Sequence, residues 1–128
     1  MIIMEDDEIT SKIIKCAIKV HRTIGPGLLE SAYKECLSYE LVKSGLQVEK
    51  EKALPVIYEN IKLDCGYRLD LLVENRIIVE IKSVDALNDI HMAQLLTYLR
   101  LNQTRLGLLL NFNVVKMLNG IKRVANGY

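Results

Sequence analysis

Two apolar segments, residues 67–73 and 77–84, are separated by only the three polar residues Glu74-Asn75-Arg76, and this spacing leaves the chain little choice of fold. Each segment has the length and the content of Leu, Ile and Val that are typical of a buried β-strand. Strands joined by so short a connection pair as an antiparallel hairpin. The sequence therefore predicts a β-hairpin near the centre of a sheet.

The segments around this hairpin alternate between helical and extended patterns. Apolar residues recur at helical spacing over 9–24, 28–44 and 87–101, and extended patterns cover 47–58 and 106–112. Pro55 indicates an edge position, a bulge or a strand end. Asn119-Gly120 is a turn signal between 115–118 and 121–124. The predicted order is α-α-β-β-β-α-β-β, with a further strand possible at the C-terminus: one α/β domain over 1–128, with a mixed central β-sheet flanked by helices.

The composition is that of a soluble domain, because half of the 128 residues are hydrophobic and 26% are charged. No apolar run approaches the ~18 residues of a membrane span, and the acidic run Glu5-Asp6-Asp7-Glu8 stands where a signal peptide would be basic. We therefore expect a cytoplasmic protein without a membrane partner. Three cysteines without a CxxC pair favour neither a disulfide framework nor a zinc ribbon.

The net charge is only +1, but the charges are unevenly distributed along the chain. Five basic residues and no acidic residue lie between 100 and 128, and Lys122 and Arg123 are among them. This basic patch is either a contact surface for phosphate groups or an ordinary solvated surface.

Glu80 and Lys82 interrupt the second apolar segment of the hairpin. In a half-exposed strand both side chains would simply face water. With a three-residue loop, however, Asp70 lies opposite Glu80 on the face of Lys82, and the two carboxylates are about 5 Å apart. A hard divalent cation such as Mg²⁺ would relieve their repulsion, and Lys82 alone could also do so. A two-residue loop would instead turn Asp70 to the other face.

These charged residues match a known pattern. Asp70 followed by Glu80-Ile81-Lys82 in a hairpin resembles the active-site signature of the PD-(D/E)XK nuclease superfamily, with Leu69 in place of the proline that often precedes the first acid. The short E-x-K pattern is weak alone. Gln94 and Tyr98, in the helix that follows the hairpin, resemble the Q-x-x-x-Y element of RecB-like members and strengthen it.

A second motif lies upstream, where residues 27–33 are literally G-x-x-E-x-x-Y. With it the chain resembles the small GxxExxY protein family, which is grouped with the PD-(D/E)XK nucleases. This resemblance extends from about His21 to Val124.

The resemblance implies a restriction-endonuclease-like core and a nuclease that hydrolyses phosphodiester bonds of nucleic acid, with DNA as the expected substrate and Mg²⁺ or Mn²⁺ as the cofactor. It implies that Asp70, Glu80 and the backbone carbonyl of Ile81 are metal ligands, and that Lys82 lies beside the scissile phosphate. Gln94 is expected to contact the substrate or the attacking water. A homodimer is compatible with this function.

A glutamate from a helix often joins the metal site in this superfamily. Glu30, at the start of the second helix, is one candidate, although a carboxylate there is also favoured by the helix dipole. Glu40, from the middle of the same helix, is the alternative. It could instead pair with a Lys or Arg.

The residues expected to bind substrate lie on the third helix and near the C-terminus. His91, Gln94 and Tyr98 are spaced i, i+3, i+7 and form one stripe, which could bind phosphate groups or base edges or be a polar seam against the sheet. By analogy with the family, Lys122 and Arg123 would position the nucleic-acid backbone.

A second hypothesis is a catalytically silent nuclease-like fold that acts as a nucleic-acid or protein binding module. The small size and the near-neutral charge favour it. An acid-paired sugar hydrolase is a third possibility, but such an enzyme does not need the lysine beside the two acids.

Overall fold

The computed structural model describes residues 4–127. In chain order these residues form α1 (Asp6–Ile24), α2 (Glu30–Lys43), β1 (Val48–Ala53), β2 (Val56–Tyr58), β3 (Ile61–Leu63), β4 (Arg68–Val73), β5 (Ile77–Lys82), α3 (Asp89–Leu101), β6 (Leu106–Asn111), a 3₁₀ helix (Met117–Gly120) and β7 (Ile121–Ala125). The predicted α/β class is confirmed. Among these residues, none of the helices combines the length and the hydropathy that crossing a bilayer requires.

The main sheet of the described chain is mixed and has the strand order β1-β4-β5-β6-β7. β4 and β5 are antiparallel, with Val73 opposite Ile77, which is the register predicted for a three-residue loop. β5 and β6 are parallel, and α3 forms the crossover between them. The central hairpin and the mixed sheet are therefore confirmed.

Helices cover both faces of this sheet. α1 and α2 pack against the face that carries Leu71 and Val79, and α3 packs against the face that carries Leu72 and Ile78. Every residue of β5 except the last is buried. Burial on both faces explains why this strand is a nearly continuous apolar run rather than an alternating one.

The segment predicted as one strand over 47–58 is divided in the structure. β1 ends at Ala53, and β2, after Pro55, pairs with β3 in a separate two-stranded sheet. Pro55 has no N–H group to donate to a ladder, so the first strand ends before it. Glu59 and Asn60 form the turn between β2 and β3 with φ of 49° and 69°. β3 was not predicted from the sequence because three residues show too little periodicity.

The strand suggested for residues 115–118 is absent from the described chain. The 3₁₀ helix leads directly into β7, which pairs with β6. A Cβ atom at Gly120 would lie 2.1 Å from the backbone oxygen of Asn111, so this approach requires glycine. The Asn119-Gly120 signal therefore marks a close backbone contact and not a hairpin turn.

Tyr33, the last residue of the G-x-x-E-x-x-Y motif, fixes the loop before α2. Its ring is fully buried and stacks on Phe112 at a centroid distance of 4.6 Å. Its hydroxyl donates to the carbonyl oxygen of Gly25 (2.7 Å) and accepts from the N–H of Leu28 (3.0 Å). These contacts determine where α2 begins, and therefore where Glu30 lies.

We expect Tyr33→Phe to lower the free energy of unfolding by about 1 kcal/mol, because two loop groups lose their hydrogen bonds to the hydroxyl. Tyr33→Ala should cost about 3–5 kcal/mol, because it removes a buried ring. Urea unfolding measures both values. The matched controls are Tyr39→Phe and Tyr39→Ala on α2, where the side chain is largely exposed and the expected change is within about 0.5 kcal/mol. Equal effects at the two tyrosines would contradict this role of Tyr33.

Candidate active site

The candidate site lies at the open end of the central hairpin. The β4–β5 ladder extends to Leu71 and Val79, and its continuation by one residue places Asp70 across from Glu80. At this position, hydrogen bonds from backbone N–H groups to side-chain carboxylates take the place of backbone–backbone hydrogen bonds. The N–H of Asp70 donates to Oε2 of Glu80 (2.9 Å), and the N–H of Ile81 donates to Oδ2 of Asp70 (2.8 Å). Each strand thus holds the carboxylate of the other.

The backbone around Asp70 departs from regular pairing. The β1–β4 register omits Glu51 and Asp70, and Glu51 has a φ of 52°. Leu69 packs on the α3 side of the sheet although Leu71 packs on the α1–α2 side, so the usual alternation breaks between them. Local distortions of this kind re-aim a side chain, and they are common next to active sites.

Burial dominates the electrostatics of the acid pair. Glu80 is only 4% exposed, and its burial, followed by the charge of Asp70, raises its pKa to about 8. The pKa of Asp70 is also raised by burial, while the Ile81 N–H and the charges of Lys34 and Lys82 oppose the change. Two carboxylates so placed favour either a retained proton or a nearby cation.

Lys82 and Gln94 adjoin the acid pair. The charge of the Lys82 ammonium partly offsets the rise in the pKa of both acids. Its Nζ donates to Oε1 of Gln94 on α3 (3.3 Å). Burial, followed by the charge of Glu80, raises the pKa of Tyr98, one turn further along the helix. The structure thus brings together Asp70, Glu80, Lys82, Gln94 and Tyr98, all of which the sequence analysis selected.

His91 has a local structural task. It lies in the first turn of α3, where Asn88 and His91 form a capping box. The Asn88 side chain accepts from the N–H of His91, and the N–H of Asn88 donates to Nδ1 of His91 (3.2 Å). One ring nitrogen is therefore engaged in the helix cap.

The two helical glutamates have different surroundings. Glu40 forms an ion pair with Lys19 of α1 (2.9 Å), one of the two roles anticipated for it. Glu30 lies at the first position of α2, and its charge raises the pKa of both Asp70 and Glu80. Of the two alternatives, Glu30 is the one whose field reaches the acid pair.

One cation at this site, Lys34, was not predicted from the sequence. Lys34 is largely buried and forms an ion pair with Glu51 (2.9 Å). Its positive charge partly offsets the rise in the pKa of Asp70 that burial causes. The sequence spacing could have indicated it, because residues four apart on a helix lie on the same face, and Lys34 lies four residues after Glu30 on α2. Glu51 gave no signal, since its position depends on the irregular backbone of β1.

Lys122 and Arg123 are separated by the sheet, which corrects their treatment as one patch. Lys122 on β7 pairs with Leu109 on β6, and Leu109 pairs with Glu80 on β5. Lys122 therefore lies in the same row of the sheet as Glu80, two strands and about 10 Å away. Arg123 points to the opposite face and forms an ion pair with Asp7 (2.8 Å). The physical reason is that consecutive strand residues alternate between faces.

The donor set suits a hard cation with few protein ligands. Among residues 4–127, no three His, Cys, Asp or Glu side chains converge into a ready-made metal site. The backbone hydrogen bonds engage one oxygen each of Asp70 and Glu80, and no described backbone group bonds to the other oxygen of either. Mg²⁺ is typically bound by one or two carboxylates and completes its shell with waters and phosphate oxygens. The acid pair fits this requirement.

A sheet covered by helices on both faces, with an acid pair and a lysine at the end of its central hairpin, has the architecture of a restriction-endonuclease-like protein. The family model of the PD-(D/E)XK nuclease superfamily matches residues 7–124, and the chain belongs to this superfamily. No curated protein and no solved structure matches the chain. Nucleases of this superfamily act on nucleic acid and generally use divalent metal ions.

Proposed function

We propose that this chain hydrolyses phosphodiester bonds of nucleic acid, DNA in particular, with Mg²⁺ or Mn²⁺ as cofactor. The observation that carries the proposal is the buried pair of Asp70 and Glu80, with Lys82 beside it and Gln94 in contact with Lys82. A purely structural pair would not need two carboxylates in a place where burial opposes their charge.

Each residue has a proposed task. The free oxygens of Asp70 and Glu80 would hold the cation, and the carbonyl of Ile81 and the carboxylate of Glu30 are further candidate ligands. When bound, the cation polarises the phosphate and lowers the pKa of a coordinated water. Lys82 contacts a phosphate oxygen and offsets the negative charge that develops in the transition state.

Gln94 is proposed to position Lys82. Its Oε1 accepts from the lysine ammonium, which limits the freedom of a long side chain. The NH₂ group of Gln94 has no hydrogen bond to any described residue and is available to the substrate. Lys122, on the same face of the sheet, is proposed to contact a more distant phosphate. Arg123, on the other face, is left out of the proposed surface.

We expect Glu30→Gln to weaken Mg²⁺ binding by about tenfold, because the cation loses a neighbouring negative charge. Glu40→Gln is the matched control, since Glu40 is held by Lys19, and it should bind Mg²⁺ like the parent chain. Isothermal titration calorimetry measures both affinities. Equal weakening in the two variants would contradict the choice of Glu30.

The same titration separates the nuclease from a silent binding module. The nuclease hypothesis predicts heat of Mg²⁺ binding that disappears in Asp70→Ala. The binding module predicts no heat that depends on Asp70, and no cleavage of single- or double-stranded DNA or RNA. The homodimer and the cytoplasmic location stay predictions from the sequence.

A further inference from the structure

A groove of about 440 Å³ opens next to Gln94, between α3 and the residue that precedes β4. Its lining is mostly apolar and includes Val56, Tyr67, Ile90, Gln94 and Tyr98. Its volume lies within the ~300–1,000 Å³ range of small-ligand sites. We call this feature the Tyr67 groove.

Tyr67 presents an aromatic surface in this groove. Its side chain is 48% exposed, whereas that of Tyr98 is only 9% exposed. The two ring centroids are 6.2 Å apart and the ring planes are tilted by 58°, an edge-to-face type of contact. The buried tyrosine thus supports the exposed one, and part of the Tyr67 ring remains open to a ligand.

The Tyr67 groove shares one residue, Gln94, with the candidate active site. Gln94 lines the groove, and its Oε1 also accepts from Nζ of Lys82. One side chain therefore separates the groove from the lysine that is proposed to contact the phosphate. In a nucleic-acid strand only the sugar separates a phosphate from its base, so a strand held at Lys82 can place a neighbouring base in the groove.

We propose that the Tyr67 groove binds an unpaired nucleobase, stacked on Tyr67, of the strand whose phosphate lies at Lys82. The inference rests on the proposed function and names its substrate class, nucleic acid with a single-stranded segment. Bases in a duplex are covered by their neighbours, so stacking on an aromatic side chain requires an unpaired base. The NH₂ group of Gln94 can donate to an acceptor on the edge of that base.

The charge of the chain agrees with this substrate class. Duplex binding depends on neutralising many phosphates, whereas base stacking adds affinity without protein charge. The formal net charge is only +1, and one cation, Lys82, donates a hydrogen bond to the groove residue Gln94. A few phosphate contacts combined with one stacked base suit a single strand better than a duplex.

The test is fluorescence anisotropy with a labelled oligothymidylate and with a labelled blunt-ended duplex of two fully complementary strands, with Ca²⁺ in place of Mg²⁺. We expect Tyr67→Ala to weaken binding of the single strand about tenfold and to leave duplex binding unchanged. Tyr67→Phe keeps the ring and should bind like the parent chain. Tyr39→Ala, which removes an exposed tyrosine from α2, is the matched control and should have no effect. Thermal unfolding checks that each variant folds.

The outcomes separate this inference from the proposed catalysis. Equal single-strand affinity in Tyr67→Ala and the parent chain would overturn the inference, even if the parent chain cleaves nucleic acid. Absence of any oligonucleotide binding by the parent chain would overturn it as well. Binding of the single strand that depends on Tyr67, in a chain that shows no cleavage, would support the groove and reject the nuclease.

Discussion

Asp70→Asn is expected to lower the rate of phosphodiester cleavage about a thousandfold. A metal ion contributes several kcal/mol to charge stabilisation in the transition state, and each ~1.4 kcal/mol corresponds to a factor of ten in rate. Asparagine has nearly the same shape and keeps an oxygen that accepts from the N–H of Ile81. The variant therefore removes the charge that the cation needs and preserves the hairpin.

The measurement is a time course of oligonucleotide cleavage in Mg²⁺ and in Mn²⁺, with single-stranded and double-stranded DNA and RNA. Asp7→Asn is the matched control, because this acid pairs with Arg123 on the far face of the sheet. It should cleave at the parent rate. Equal cleavage by Asp70→Asn and the parent chain would indicate a contaminating nuclease or another site, and would remove Asp70 from the mechanism.

Glu80→Gln is expected to stabilise the metal-free chain at high pH. The pKa of Glu80 is about 8 in the folded chain and 4.5 for an unperturbed glutamate, so between these values the folded chain binds more protons than the unfolded chain. The free energy of unfolding therefore falls as the pH rises through this window, by at most about 1.4 kcal/mol per pH unit. Near pH 8 the variant should be roughly 2–4 kcal/mol more stable than the parent chain.

The physical reason is that glutamine keeps the oxygen that accepts from the N–H of Asp70 but never carries the buried charge. Urea unfolding in EDTA, repeated between pH 4.5 and about 8, measures the effect. Glu49→Gln, on the edge strand β1, is the control and should follow the parent curve. A parent curve that is flat or rises over this window would contradict the proposed burial of the charge.

Added Mg²⁺ should narrow this difference in stability. A ligand that binds only the folded chain stabilises it by about 2.7 kcal/mol at a hundred times its dissociation constant. The parent chain should gain this stability, and Glu80→Gln, which lacks one of the proposed ligands, should gain less. These results would show that the buried charge of Glu80 lowers the stability of the metal-free chain, and that the same charge contributes to binding of the cation.

Much of the fold and the centre of the site could be predicted because the determining interactions are local. The length of the loop after Val73 set the hairpin register, and the register placed Asp70 across from Glu80. The spacing of Gln94 and Tyr98 placed both on one side of α3. Each inference needed only strand or helix periodicity and one short connection.

The remaining parts of the site depend on contacts between residues far apart in the chain. Glu40 on α2 binds Lys19 on α1, Lys34 on α2 acts on the charge of Asp70, and Tyr67 in the loop before β4 contacts Tyr98 on α3. No periodicity in the sequence reports which helix lies on which face. The separation of Lys122 from Arg123 is a simpler case, because strand alternation would have predicted it once residues 121–125 were assigned to a strand.

Local patterns in the chain were thus sufficient for the α/β class and the central hairpin, and the family resemblance was needed as well to single out the acid pair and its lysine. The choice of Glu30 over Glu40, the cation at Lys34 and the groove at Tyr67 came only from the packed molecule. The reason is that backbone geometry repeats over two to four residues and can be deduced from spacing. The burial, the electrostatic field and the cavities around a side chain depend on every element that packs against it.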